Sequence, residues 1–237
     1  MNIAQFKKEV KPDSSPVLKY GVFSGRFIIA VLFIALIIVP LVRNDIGLAR
    51  NPQNYMSLGW QEATQYLRSQ LSTEQETEYY KIYQKGEKPD VPYILTWWDY
   101  GYWIARDAHM PVICTPSGGQ RMLAAKLLLN ENPDETVKRL KELNIKYVVI
   151  DNQTAVEKFY AVVQLAGIDL KGLDLDKYYD VQGGELFKTS DYYKTFLVQL
   201  YFFDAKRINN VKLVYVSDSK VMIEDGYIPE VKVFEVQ

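Results

Sequence analysis

Hydrophobic and polar positions divide the chain into three zones. Residues 1–19 are polar and contain Lys11-Pro12-Asp13-Ser14-Ser15-Pro16, the composition of a flexible tail. Phe27 to Val42 is then apolar without a break, 16 residues between Arg26 and Arg43. A membrane span wants roughly 20 residues. Adding Tyr20 to Gly25, with Arg26 snorkelling, gives a predicted transmembrane helix over 20–43. A signal peptide would show a shorter apolar core and a small-residue cleavage site, and Leu41-Val42-Arg43-Asn44 is a poor one.

From residue 44 onward short apolar patterns alternate in period, which predicts a mixed α/β globular domain over 44–237. Leu58, Ala63, Tyr66, Leu67 and Leu71 recur at helical spacing, with Ser57 as the cap. Residues 72–90 read as a polar loop. Tyr93–Trp98 predicts a strand, 102–108 a short helix, Pro111–Cys114 a second strand and Gly119–Leu129 a helix. Asn132-Pro133-Asp134-Glu135 has the grammar of a helix start, running to Leu143. Lys146–Ile150 is a buried, β-branched strand parallel to the first. Helices follow over 154–165 and, behind Ser190, over 191–205. A C-terminal β meander is predicted from 211–217, 221–224 and 231–236.

Charge sharpens this picture. Residues 1–43 carry a net +4 and the remainder −5. A basic flank before an apolar run places the N-terminus in the cytoplasm and the body outside the cell. The near-neutral total leaves no basic footprint for nucleic acid. One cysteine, Cys114, excludes an intramolecular disulfide and a cysteine-cluster metal site, and one histidine, His109, excludes His-pair metal sites. His109 lacks a nearby nucleophile motif and reads as a surface or loop histidine. Asp174, Asp176 and Asp180 lack the register of a calcium loop and read as a solvated turn.

The candidate chemistry lies in Trp97-Trp98-Asp99-Tyr100-Gly101, which holds two of the chain's four tryptophans, with Trp103 close behind. Two indoles beside a carboxylate can shield a strong acceptor from water, a way to recognise a hydroxyl. The alternative is an aromatic core cluster whose Asp caps the next helix. Asp151 and Lys158, with Phe159-Tyr160-Ala161, form a second candidate. Its alternative is a strand-end acid and a solvated lysine.

Trp97–Gly101, continuing into Tyr102-Trp103-Ile104, resembles the signature of the catalytic subunits of oligosaccharyltransferases, the membrane enzymes of N-linked protein glycosylation. Gly59–Arg68 resembles the amphipathic segment after their last membrane helix. Tyr147–Asp151 with Lys158–Ala161 resembles their second motif, an Asp and a Lys on a kinked helix. Val231–Val236 is similar as well. The likeness covers about residues 20–237 and is nearest to archaeal members, many of which carry Met where Thr154 stands here.

The resemblance implies that Trp97, Trp98 and Asp99 hold the Ser or Thr hydroxyl of an Asn-x-Ser/Thr acceptor polypeptide. Lys158 would line the same pocket, with Tyr100, Gly101 and Asp151 in support. It implies no catalytic residue and no metal in this chain. Mg2+ or Mn2+ and the lipid-linked oligosaccharide would be held by a membrane core of further helices that this sequence lacks. The expected product is a single-pass cell-membrane protein with an extracellular domain, the sequon-reading part of a glycosyltransferase that carries a lipid-linked oligosaccharide to asparagine. The competing expectation is a membrane-anchored peptide-binding paralogue without catalysis. Asn152-Gln153-Thr154 is itself a sequon, at a helix start where modification is not expected.

Overall fold

The β-branched run after Lys146 forms the central strand of the domain. The computed structural model describes residues 56–85, 91–167, 175–223 and 226–237. The predicted span at 20–43 lies outside the described residues, and among those residues no helix is long and apolar enough to cross a membrane. The first half contains helices α1 (Leu58–Ser69) and α2 (Thr73–Lys85), strand β1 (Tyr93–Leu95), and a 3-10 turn at Trp98–Tyr100. Helix α3 opens at Gly101–Trp103 and continues as a π-helix over Ile104–Ala108. A two-residue hairpin, β2 (Cys114–Thr115) with β3 (Gly118–Gly119), leads to α4 (Arg121–Leu129), α5 (Pro133–Glu142) and β4 (Ile145–Asp151).

A π-helical turn, Gln153–Glu157, then precedes α6 (Phe159–Gly167). Strands β5 (Tyr179–Gln182) and β6 (Glu185–Lys188) make an exposed hairpin, followed by α7 (Ser190–Lys194) and α8 (Phe196–Phe203). The chain closes with β7 (Val211–Val216), β8 (Lys220–Ile223), β9 (Gly226–Pro229) and β10 (Val231–Val236). The main sheet runs β1-β4-β10-β7. β1 is parallel to β4, and β10 is antiparallel to both β4 and β7. Every β4 residue except Lys146 is buried, because α5 and α8 cover it and its two neighbours flank it.

The mixed α/β class holds, and several predicted elements change; the predicted strand Pro111–Cys114 shrinks to β2 at Cys114–Thr115. Residues 73–85 are helical where the sequence reads as loop. Their start is a capping box: the Gln75 N–H donates to Ser72 Oγ at 3.2 Å and the Ser72 N–H to Gln75 Oε1 at 3.1 Å. Over Thr73–Lys81 only Tyr79 is buried, and the first two turns are polar, which conceals the helix in the sequence. The predicted strand Tyr93–Trp98 stops at Leu95, and Trp98 begins the 3-10 turn. The predicted helix 191–205 breaks at Thr195, whose backbone is extended and whose Oγ1 accepts the Val198 N–H.

The C-terminal meander is also rearranged. β10 inserts between β4 and β7, and β8 and β9 pair only with each other. Ser217 directs this. Its N–H donates to Val231 O at 2.9 Å and its Oγ accepts the Val231 N–H at 3.0 Å, which brings β7 and β10 together across the hairpin. Ser57 is the N-cap of α1 by position but makes no side-chain cap bond. Asn132 caps α5 as predicted, accepting the Glu135 N–H. Cys114 is buried, and burial pushes its thiol up to about 12.

Asp151, the last residue of β4, is 2% exposed. Its Oδ2 accepts the Trp60 indole N–H of α1 at 3.1 Å, and its Oδ1 accepts the Thr154 N–H of the π-turn at 2.8 Å. Burial nevertheless raises its carboxyl above the ordinary range, against the pull of those hydrogen bonds. A carboxyl whose folded pKa exceeds its unfolded value holds more protons in the fold. Its stabilising effect is full below the unfolded value, near 3.8, and is lost as pH rises through the folded value. Urea denaturation from mildly acidic to neutral pH should therefore show wild type losing more stability than Asp151→Asn, whose amide does not titrate. Parallel pH profiles for the two proteins would contradict a raised carboxyl.

Candidate peptide-binding site

The site is built where β1 ends. Leaving the strand at Leu95, the chain turns at Trp97 and enters the 3-10 turn, closed by the Tyr100 N–H donating to Trp97 O at 3.1 Å. Residues three apart then share a face, as the 3-10 turn requires. Trp97 and Tyr100 are buried, and Trp98 and Asp99 are half-buried. The tight turn needs Gly101. A Cβ there would stand 2.3 Å from Cys114 O and 3.0 Å from Thr115 Cα, so the β2–β3 hairpin lies flat against its backbone.

Lys158 reaches the same place from the other motif. The π-turn Gln153–Glu157 ends on Lys158, whose N–H donates to Gln153 O at 2.6 Å before α6 begins. Bonding five residues back inserts one extra residue and kinks the helix at the residue that carries the amine. The sequence alone set Lys158 two turns into a regular helix. The kink matches the resemblance instead.

The Lys158 ammonium lies 2.8 Å from Asp99 Oδ2 and 3.2 Å from Tyr100 Oη, and 4.8 Å above the Tyr100 ring. The Trp97 indole N–H donates to the same Oδ2 at 3.2 Å. Asp99 Oδ1 has no partner among the described residues. The ion pair is part-open, with side-chain exposures of 31% for Lys158 and 27% for Asp99. Asp99 caps no helix, so the aromatic-core alternative describes only half of the motif: Trp97 and Tyr100 are core, and Trp98 and Asp99 are surface.

Tyr100 joins this layer to the one beneath. Its ring packs on Trp60 at 4.3 Å and on Trp103 at 5.2 Å between centroids, and its hydroxyl donates to Gln153 Oε1 at 3.3 Å. Burial first, and the Asp151 carboxylate second, raise its phenol far above the ordinary value, so it stays protonated. Asp151 lies under the site and supports it through Trp60 and the π-turn.

Trp60 and Gln153 support the site from beneath, and Arg121 stands at its rim; the sequence assigned no role to any of the three, although Trp60 lies within the Gly59–Arg68 likeness. Trp60 donates to Asp151. Gln153 accepts from Tyr100. Arg121, the first residue of α4, holds its guanidinium 5.8 Å from the centre of the Trp98 ring. His109 is not part of the site. It is buried in a left-handed conformation after α3, where its Nδ1 meets Glu76 Oε1 at 2.9 Å and the Tyr80 hydroxyl, clamping α2. The reading as a surface histidine fails on burial, and the one as a loop histidine stands. Among the described residues no group of three or more His, Cys, Asp or Glu could hold a metal ion.

The fold and this pairing of motifs are similar to those of solved oligosaccharyltransferase globular domains. The comparisons with known proteins agree. No protein-family model matches the chain. Two curated relatives are dolichyl-phosphooligosaccharide-protein glycotransferases of Archaeoglobus fulgidus. Glycotransferase 2 is 28% identical over 143 residues, 58% of this chain and 22% of the relative. Glycotransferase 1 is 28% identical over 182 residues, 75% of this chain and 26% of the relative.

The crystal structure of the C-terminal globular domain of an oligosaccharyltransferase from Archaeoglobus fulgidus superposes with a TM-score of 0.55 at 26% identity. It covers 77% of this chain and 99% of that one. An Archaeoglobus fulgidus oligosaccharyltransferase tethered to an acceptor peptide containing an NVT sequon shares the fold, with a TM-score of 0.58 at 19% identity over 76% of this chain and 33% of that one. The described domain is homologous to the C-terminal globular domain of archaeal oligosaccharyltransferases, and the chain spans about a quarter of the length of those two curated relatives.

Gly101→Ala should lower stability by about 1–3 kcal/mol, since the new methyl meets backbone that cannot step aside. Thermal melting checks this. An unchanged melting temperature would mean that the hairpin is not held against the turn.

Proposed function

We propose that this domain reads the Ser or Thr of an Asn-x-Ser/Thr acceptor polypeptide for an oligosaccharyltransferase, with the hydroxyl seated between Asp99 and Lys158. The observation that carries the reading is the split of the Asp99 carboxylate. Oδ2 is occupied by Lys158 and Trp97, and Oδ1 is left to the outside. A hydroxyl both donates and accepts. It can donate to Asp99 Oδ1 and accept the third N–H of the Lys158 ammonium, whose other two are directed at Asp99 and Tyr100. An alanine or valine in its place would bury both groups without partners, which is how a polar site rejects an analogue that lacks the hydroxyl.

Trp97 acts through Asp99. It is 2% exposed, so its contribution is one N–H that fixes the carboxylate, and Trp98 offers the surface that a peptide would lie on. Gly101, Tyr100 and Asp151 keep the two motifs in register. The wider reading, in which residues 20–43 anchor the chain in the cell membrane, 1–19 face the cytoplasm and 44–237 lie outside the cell, rests on the apolar run and its basic flank. A membrane core held elsewhere would supply the lipid-linked oligosaccharide and the divalent metal. Another Archaeoglobus fulgidus oligosaccharyltransferase structure contains zinc and sulfate. In this domain Asp99 faces an ammonium and Asp151 is sealed under Trp60, a donor set that does not fit a divalent cation. No step of the reaction is assigned to these residues.

An Asn-x-Thr peptide should bind about tenfold or more tightly than its Asn-x-Ala analogue, the value of one hydrogen bond to a charged group. Asp99→Asn and Lys158→Met should each erase most of that preference while the melting temperature holds, and Trp97→Phe should weaken it. Fluorescence anisotropy with labelled peptides measures all of these. A Thr preference undiminished in Asp99→Asn would remove the pocket from this place.

A further inference from the structure

The rim of the site carries a cation that the fold does not use. Arg121 is exposed at the start of α4, its guanidinium rests over the half-buried Trp98 ring, and it has no carboxylate partner among the described residues. Its position is not one that a helix favours, because the first turn of a helix repels positive charge. The other charges at the site are Asp99 and Lys158, and they cancel. The open face is therefore left with one net positive charge, on a planar group 5.8 Å from the centre of the Trp98 ring.

We infer that Arg121 is a specificity residue that favours an acceptor peptide with an acidic side chain close to its Ser or Thr, a deepening that rests on the proposed hydroxyl site. Trp98 and Asp99 are neighbours in the chain, with Cα atoms about 3.8 Å apart. An extended peptide whose hydroxyl sits at Asp99 advances about 3.3 Å per residue. A Glu or Asp one or two residues from the hydroxyl comes within reach of the guanidinium. Arg presents a planar fork of donors that matches a carboxylate, and the Trp98 face holds that fork in place. The pair would be solvent-exposed, so its effect is modest and salt-sensitive.

The test uses the full chain in detergent micelles and labelled Asn-x-Thr peptides. The peptides carry Glu, Gln or Lys at the residue before the Thr or at either of the two after it. At low ionic strength Glu should bind about two- to fivefold more tightly than Gln at one or more of these positions. That advantage should shrink at about 0.5 M salt. Arg121→Gln should abolish it, Arg121→Lys should keep part of it, and Arg121→Glu should turn it into a preference for Lys. The Thr-over-Ala preference should survive in each variant, which verifies the fold. If Arg121→Gln weakens Glu and Gln peptides equally, the arginine is only packing on Trp98 and the inference falls. If Glu and Gln never differ while Thr still outcompetes Ala, this inference fails alone. If Thr and Ala bind alike in wild type, the hydroxyl site fails with it.

Discussion

The buried carboxylate of Asp151 is the constraint on which the rest depends. It ends the central strand, receives the indole N–H of the first helix and the backbone N–H that starts the π-turn, and faces the Tyr100 phenol. A carboxylate in such a place is costly unless its oxygens are filled. Three segments distant in sequence, carrying Trp60, Tyr100 and the β4–π-turn junction, must therefore converge on it, and the surface site rides on that convergence. Lys158 emerges from the π-turn that Asp151 initiates, and Asp99 stands one residue before the tyrosine that packs above it. Losing any one partner would leave a charge in an apolar surround and loosen both halves of the ion pair together.

The site divides its own labour in the same way. Trp97 and Tyr100 hold position from inside, and Trp98, Asp99 and Lys158 meet the solvent. A site assembled from a strand end and a π-helical turn is precise because neither piece is a free loop. The homologous globular domain from Archaeoglobus fulgidus follows the same fold over nearly its whole length, at 26% identity. The fold thus tolerates replacement of about three quarters of the aligned residues.

Much of this was legible in the chain. The β-branched run of β4 and the Asn132 cap were local signals, and the structure agrees with both. Trp97–Gly101 stood out by composition, and the resemblance joined it to Lys158, 59 residues away, which no periodicity could have done. What escaped was of two kinds. Helix α2 and the break at Thr195 rest on side-chain caps in sequences without a clean apolar stripe. The place of β10 between β4 and β7 rests on Ser217 bonding across a hairpin, and strand order is a long-range choice that alternation does not encode. His109 was misread for a related reason. Its burial comes from α2, the helix that the polar composition concealed.

All four tryptophans of the chain gather around this one region. Trp60 and Trp97 lie in the core beneath the site, Trp98 lines its floor, and Trp103 packs edge-on to Trp60. The indole light emission of the protein therefore originates within the candidate site and its supports. The molecule carries a native optical gauge, one that responds to events around Trp97–Trp103 and is nearly blind to the exposed β5–β6 hairpin.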